Sequence, residues 1–220
     1  MTSCTGISWL TIKGMSATTR LVVLGAVHQF QPVHGYFLRR ELMTWHIDEW
    51  ANIQPGSIYN ALRSLKNEGY LLENGTETAG NRPERTTYRM TDEGVVELRR
   101  MLHDCLWTVE VFDTKPVMAL TSFMFALHRE EVLAGLAYRV VEIDARITSN
   151  SYHIRDVASS SSTPRYVREV FELATSRLRG EQQWAREMSE RIRAGDYVFA
   201  GEYDNGSDSA VRENSPAREA

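Results

Sequence analysis

The run TRLVVLGAVHQF, from Thr19 to Phe30, is apolar around most of its helical circumference and predicts a largely buried first helix. It ends near Gln31 and Pro32, because proline restrains the residue before it and cannot extend an established helix. HGYFLRRELMT, His34 to Thr44, predicts a second helix with Tyr36, Leu38, Leu42 and Met43 inward and Arg39 and Arg40 outward. WHIDEWANI then reads as loop or a short strand. Pro55 suits the first turn of a third helix, in which Ile58, Leu62 and Leu65 recur at i, i+4 and i+7 as a narrow core stripe. Gly69 is its natural stop.

Strand signals follow from Tyr70 to Glu73 and from Thr86 to Met90, joined by the polar, Arg-bearing turn NGTETAGNRPER. TDEGVVELRRMLHDCLW restarts a helix, with Thr91 as its cap and Gly94 an early tolerated irregularity. The order helix, helix, helix, strand, strand is that of a winged helix-turn-helix. The fold class is therefore mainly α with a small β-hairpin, a winged helix-turn-helix domain over residues 19–107 followed by a helical dimerisation domain over 108–200.

In that second part Val132, Leu136, Val140, Ile143 and Ile147 stand at steps of 4, 4, 3 and 4, a long apolar stripe. SSSSTP, Ser159 to Pro164, breaks the chain before a last helix over 165–194. The symmetric pairing common among soluble proteins favours the stripe as a dimerisation arm over a wholly intramolecular cap. GEYDNGSDSAVRENSPAREA, residues 201–220, is almost devoid of apolar side chains and reads as a disordered tail. Residues 1–18 form an N-terminal extension. Its Ile7, Trp9, Leu10 and Ile12 suit either an extra packed helix or a poorly ordered arm.

Composition narrows the chemistry. No run of 18 apolar residues offers a membrane span, and the start lacks a secretion signal, so the expectation is a cytoplasmic protein with no membrane partner. The net charge of -4 is uneven: residues 1–100 hold 11 Lys/Arg against 10 Asp/Glu, the remainder 14 against 19. A polyanionic partner thus fits the first half and not the second. Cys4 and Cys105 make no disulfide framework, the six histidines form no ligand cluster, and phosphate-loop and dinucleotide motifs are missing. Without a convergent acid, base, nucleophile or metal set, an enzyme is not expected, nor a cofactor or metal.

The polar side of the third helix remains. Ser57, Tyr59, Asn60, Arg63, Ser64 and Asn67 face away from the stripe. They read either as a solvated face or as one entering a DNA major groove, where Arg and Asn distinguish base edges. Tyr59 and Lys66 suit phosphates, which position a module without reading sequence. A winged-helix module that binds protein rather than DNA is the alternative function.

LVVLGAVHQFQPVHGYFLRREL, WANIQPGSIYNALRSLKNEGYL and RTTYRMTDEGVVELRRML resemble segments of the PadR-like transcriptional regulators. His34–Tyr36, Pro55–Leu62 and Tyr88–Gly94 carry the likeness, in the family's order, and it covers about residues 19–104. The resemblance implies a repressor that binds double-stranded, palindromic operator DNA as a homodimer and is released by a small aromatic or drug-like effector. It also implies a DNA-reading face at Ser57, Tyr59, Asn60 and Arg63, and a wing approaching the backbone through Arg82 and Arg85. Trp107, Phe112, Phe123 and Tyr138, near the junction of the two halves, are the aromatic candidates for such an effector. His34 and Tyr36 are assigned to bracing the fold: His34 orients the turn, and Tyr36 braces the first and third helices.

Overall fold

The computed structural model describes residues 15–74 and 86–202. Helix α1 spans Ala17–Phe30, strand β1 Val33–His34, α2 Gly35–Thr44, the one-turn α3 Ile47–Trp50 and α4 Pro55–Asn67. Strands β2 (Leu71–Asn74) and β3 (Thr87–Met90) lead into α5 (Asp92–Leu106), α6 (Lys115–Phe123), α7 (Arg129–Ser159) and α8 (Arg168–Ala194). The fold is mainly helical with a small sheet: a winged helix-turn-helix followed by a long helical hairpin.

Buried Leu21, Val22, Val23, Leu24, Ala26 and Val27 place α1 at the centre of the core, which matches its all-round apolarity. Two details of the next segment depart from the sequence reading. Val33 pairs with Tyr88 and His34 with Thr87, so the hairpin becomes a three-stranded antiparallel sheet in the order β1-β3-β2. His34 Nδ1 lies 3.3 Å from the Thr86 carbonyl and so ties the turn to β3. WHIDEWANI contains α3 rather than a strand: His46 takes a left-handed φ of 54° and the chain restarts one helical turn from it.

Tyr36 is also displaced from its expected role. It is 63% exposed, two residues and so about half a helical turn from buried Leu38, and the Arg39 guanidinium lies 5.3 Å from its ring centroid. Tyr36 therefore does not brace α1 and α4.

In α4 the predicted stripe of Ile58, Leu62 and Leu65 is fully buried, with Ala61 beside it. Gly69, at a φ of 85°, turns the chain out of the helix; its amide donates to the Lys66 carbonyl and that of Tyr70 to the Leu65 carbonyl. Thr91 caps α5, its hydroxyl accepting from the Gly94 amide at 2.9 Å while donating to the Gly69 carbonyl. A Cβ on Gly94 would stand 2.2 Å from the Tyr70 carbonyl oxygen, so only glycine lets α5 start this close to the turn after α4. The wing strands leave and return through this joint.

Helices α7 and α8 pack on one another as an antiparallel hairpin. Val132, Leu136 and Ile143 are 0% exposed inside the single chain; Val140 is half-buried against the main core and Ile147 against a smaller cluster of Val109, Ile143 and Leu178. The stripe expected to meet a second copy thus faces its own chain. An amphipathic helix shows where its apolar face lies, but not what covers it. Beyond α8 the chain returns: Phe199 is fully buried, and Arg129 donates to Tyr197 O at 2.8 Å and pairs with Glu202. Glu202, placed in the tail by composition, is therefore anchored. The extension up to residue 14, the wing tip at 75–85 and residues 203–220 lie outside the described residues.

Candidate nucleic-acid interface

Helical geometry sorts the polar side chains of α4 into three rows. Opposite the buried stripe stand Gly56, Asn60, Arg63 and Asn67, all exposed. Ser57 and Ser64 flank them on one side, and Tyr59 and Lys66 on the other. Ser57 is half-buried, and Ser64 donates its hydroxyl to Glu68 Oε1 at 2.8 Å, so this row has less left to offer a ligand. Lys66 pairs with Glu73 on β2. Its charge helps dock the wing on the helix and is already partly neutralised for a phosphate. Arg63 makes no ion pair among the described residues, which leaves a full fork of donors on the central row.

Pro55 opens α4 with no amide of its own to satisfy, and the Ser57 amide donates to the Gln54 carbonyl at 2.9 Å. Arg82 and Arg85 lie outside the described residues. Within the described wing, exposed Arg89 is the cation sequence reasoning missed; it stands opposite Leu72 in the β2–β3 register. Across α4 from the wing, Glu110 and Asp113 border a groove of about 800 Å³ that also takes in Ser57, Asn60 and Arg63. Lys115 lines the same groove, so its walls carry both signs of charge.

The four aromatic candidates for an effector do not converge. Trp107 and Tyr138 face each other with ring centroids 5.2 Å apart, and His103 flanks Trp107 at 5.9 Å. Phe112 is 62% exposed on the loop between α5 and α6. Phe123 is buried elsewhere, its ring against Gly25 and 5.8 Å from that of Trp45. Phe123 does line a cavity of about 820 Å³, together with His28, Trp45, Trp50, Phe125 and Tyr197. Arg99 reaches the same cavity. Within it His28 Nδ1 is buried without a hydrogen-bond partner, and burial, with Arg99 nearby, lowers the His28 pKa. Of its walls only Phe123 was marked by sequence reasoning, because they come from α1, α3, α5, α6 and the segment after α8.

Cys105 is buried, and desolvation pushes its thiol up to about 12, which leaves it an inert core side chain. Among the described residues no group of His, Cys, Asp and Glu could hold a metal, and no helix is long and apolar enough to cross a membrane.

No curated protein matches the chain. Among solved structures it is similar to Bacillus subtilis PadR in complex with operator DNA, at 22% identity over 79% of this chain and 98% of that one, with a TM-score of 0.30. The same protein in complex with p-coumaric acid aligns at 19% identity over 80% and 99%, with a TM-score of 0.33. The PadR-like transcriptional regulator BC1756 from Bacillus cereus aligns at 18% identity over 80% and 99%, with a TM-score of 0.32. Residues 23–100 match the model of the transcriptional regulator PadR-like family, which takes in α2 and α4, the described wing strands and most of α1 and α5. Over that stretch the chain is similar to the PadR-like transcriptional regulators.

Proposed function

We propose that this protein is a DNA-binding transcriptional repressor that acts as a homodimer on a palindromic operator and is released by a small aromatic or drug-like molecule. The observation that carries the reading is the central row of α4. Asn60, Arg63 and Asn67 are exposed side by side, opposite a stripe that fixes the helix in a winged-helix domain of PadR-like sequence. These side chains are the ones able to make paired hydrogen bonds to base edges in the major groove. Two copies related by a two-fold axis would read half-sites about 34 Å apart, or a multiple of one DNA turn.

The effector belongs in the cavity beside Phe123 rather than at the Trp107–Tyr138 pair. Its walls combine aromatic faces with the unpartnered nitrogen of His28, the mixture of apolar surface and few orienting polar groups that small-molecule sites use. They also join the winged-helix core to the segment after α8, so an occupant bears on both halves. DNase footprinting on the DNA upstream of the protein's own gene tests the reading. Sequence-specific protection of two related half-sites is expected; binding only to a protein partner, with no specific protection, would replace it by an interaction module.

A further inference from the structure

Arg20 stands in the first turn of α1, the one charged residue among those buried in the helix, with its side chain 6% exposed. Its Nη1 lies 2.6 Å from Oε2 of Glu68, the residue that closes α4, and its Nε lies 3.4 Å from Oε1 of Glu97 on α5. The same guanidinium lies over the Tyr70 ring, 4.7 Å from its centroid. Tyr70 leads directly into β2, and its carbonyl accepts from the amide of Thr91, the cap of α5. The other oxygen of Glu68 accepts from the Ser64 hydroxyl at 2.8 Å, back on α4. One buried cation thus holds together the end of α4, the root of the wing and α5.

Stability alone does not account for this arrangement. Taking a guanidinium and its carboxylates out of water costs about as much as their attraction returns, and well-packed apolar side chains of the same volume would hold the three elements as firmly. What the ionic contacts add is direction, because a planar fork takes its partners at fixed angles. We infer that Arg20 is a positioning residue for DNA recognition: through Glu68 and Tyr70 it sets the angle of α4 and the place of the wing beside it, and so where Asn60, Arg63 and Asn67 point. Being buried, its side chain takes no direct part in the contact. Paired hydrogen bonds to base edges need that aim, whereas attraction between exposed cations and phosphates tolerates its loss. The signature of Arg20 is therefore selectivity between sequences rather than general affinity for DNA.

This assignment rests on the DNA-reading role of α4 and adds the residue that aims it. Full-length wild type, Arg20→Met, Glu68→Ala and the double variant are titrated with two duplexes, one that the wild type enriches from a randomised pool and one of scrambled sequence. Circular dichroism checks folding. An unfolded fraction lowers both affinities by the same factor, so their ratio reports aim and not stability. Arg20→Met and Glu68→Ala should each cut that ratio at least about tenfold, and the double variant should fall no further, since both changes remove one linkage. Glu68 is 20% exposed, and its truncation leaves Arg20 beside Glu97, so that variant carries the test if Arg20→Met does not fold. A wild type that enriches no sequence would overturn the DNA-reading role of α4 together with this assignment. A selective wild type whose ratio is unchanged in the folded single variants would overturn the role of Arg20 alone. Losses that multiply in the double variant would show the two residues acting separately and would overturn the linkage.

Discussion

Arg139 on α7 donates its Nε to Oε1 of Glu181 on α8 at 3.1 Å, with its side chain 1% exposed. Its Nη1 also donates to the Cys105 carbonyl at 2.7 Å and to the Thr108 carbonyl at 2.6 Å. The carbonyls at the carboxyl end of α5 have no partner within their own helix. One guanidinium thus closes the end of the winged-helix domain and fastens it to both arms of the hairpin.

Removing one side of this arrangement should cost more than its net contribution, since the other side is left charged and unpaired away from water. Arg139→Met is expected to destabilise the fold by about 3 to 5 kcal/mol. Glu181→Gln keeps a hydrogen-bond acceptor in place and should cost less. Chemical denaturation of the three proteins checks the order. A loss of under about 1 kcal/mol for Arg139→Met, the range of an exposed ion pair, would show that the joint is not needed.

Arg63 and Lys66 differ in their freedom, and operator binding should reflect it. Arg63→Ala is expected to lose about 1 to 3 kcal/mol and to relax selectivity at one position per half-site if the guanidinium grips a base. Lys66, already paired with Glu73, should matter less when changed to Ala. Titrations on matched and mismatched operators at several salt concentrations separate the roles. A uniform loss with a flatter salt dependence would reassign Arg63 to phosphate. Full affinity in folded Arg63→Ala would remove it from the interface.

How far the sequence led depends on the kind of signal. Ile58, Leu62 and Leu65 were legible because a buried helix face repeats with the helical period, and Thr91 and Gly69 because caps and stops have few chemical solutions. Strand β1 was not, since two residues carry no alternation. The stripe through Val132 and Ile143 was found but given the wrong partner, as periodicity is blind to what lies opposite. Arg139 was hidden inside that stripe: its charge argues for solvent, and only Glu181 and the carbonyls of Cys105 and Thr108, all distant in sequence, explain its burial. The cavity beside Phe123 is assembled from segments too far apart for any local pattern to join.

His28 provides a test by pH. Its folded pKa lies below the ordinary value of about 6.5, first because burial disfavours the cation and second because Arg99 is near. Above that value both folded and unfolded chains hold it neutral, and it adds no slope. As pH falls through about 6.5 the unfolded chain takes up the proton first, so stability falls until the folded pKa is reached. His28→Gln should remove that part of the acid sensitivity. Denaturation midpoints of the two proteins at several values between about pH 7 and 5 measure it. Parallel curves would show that His28 titrates as it does in the unfolded chain.

The position of the effector can be tested by filling its cavity. Ala126 lines the space beside Phe123 and is half-buried, so Ala126→Phe places a ring where a planar ligand would lie. Trp107→Ala instead opens the separate pair with Tyr138. Calorimetry with cinnamic acid as a planar, anionic probe should show binding to wild type, weak or no binding to Ala126→Phe, and near wild-type affinity for Trp107→Ala. Arg99→Ala should weaken the probe further if the carboxylate lies toward that guanidinium. Binding alone would not make the compound an inducer, because a ligand with equal affinity for DNA-competent and DNA-incompetent states shifts neither. Operator release must therefore be followed in the same proteins, and the concentration for half-release should rise in Ala126→Phe in step with the lost affinity. If Trp107→Ala loses the probe while Ala126→Phe keeps it, the site is the Trp107–Tyr138 pair.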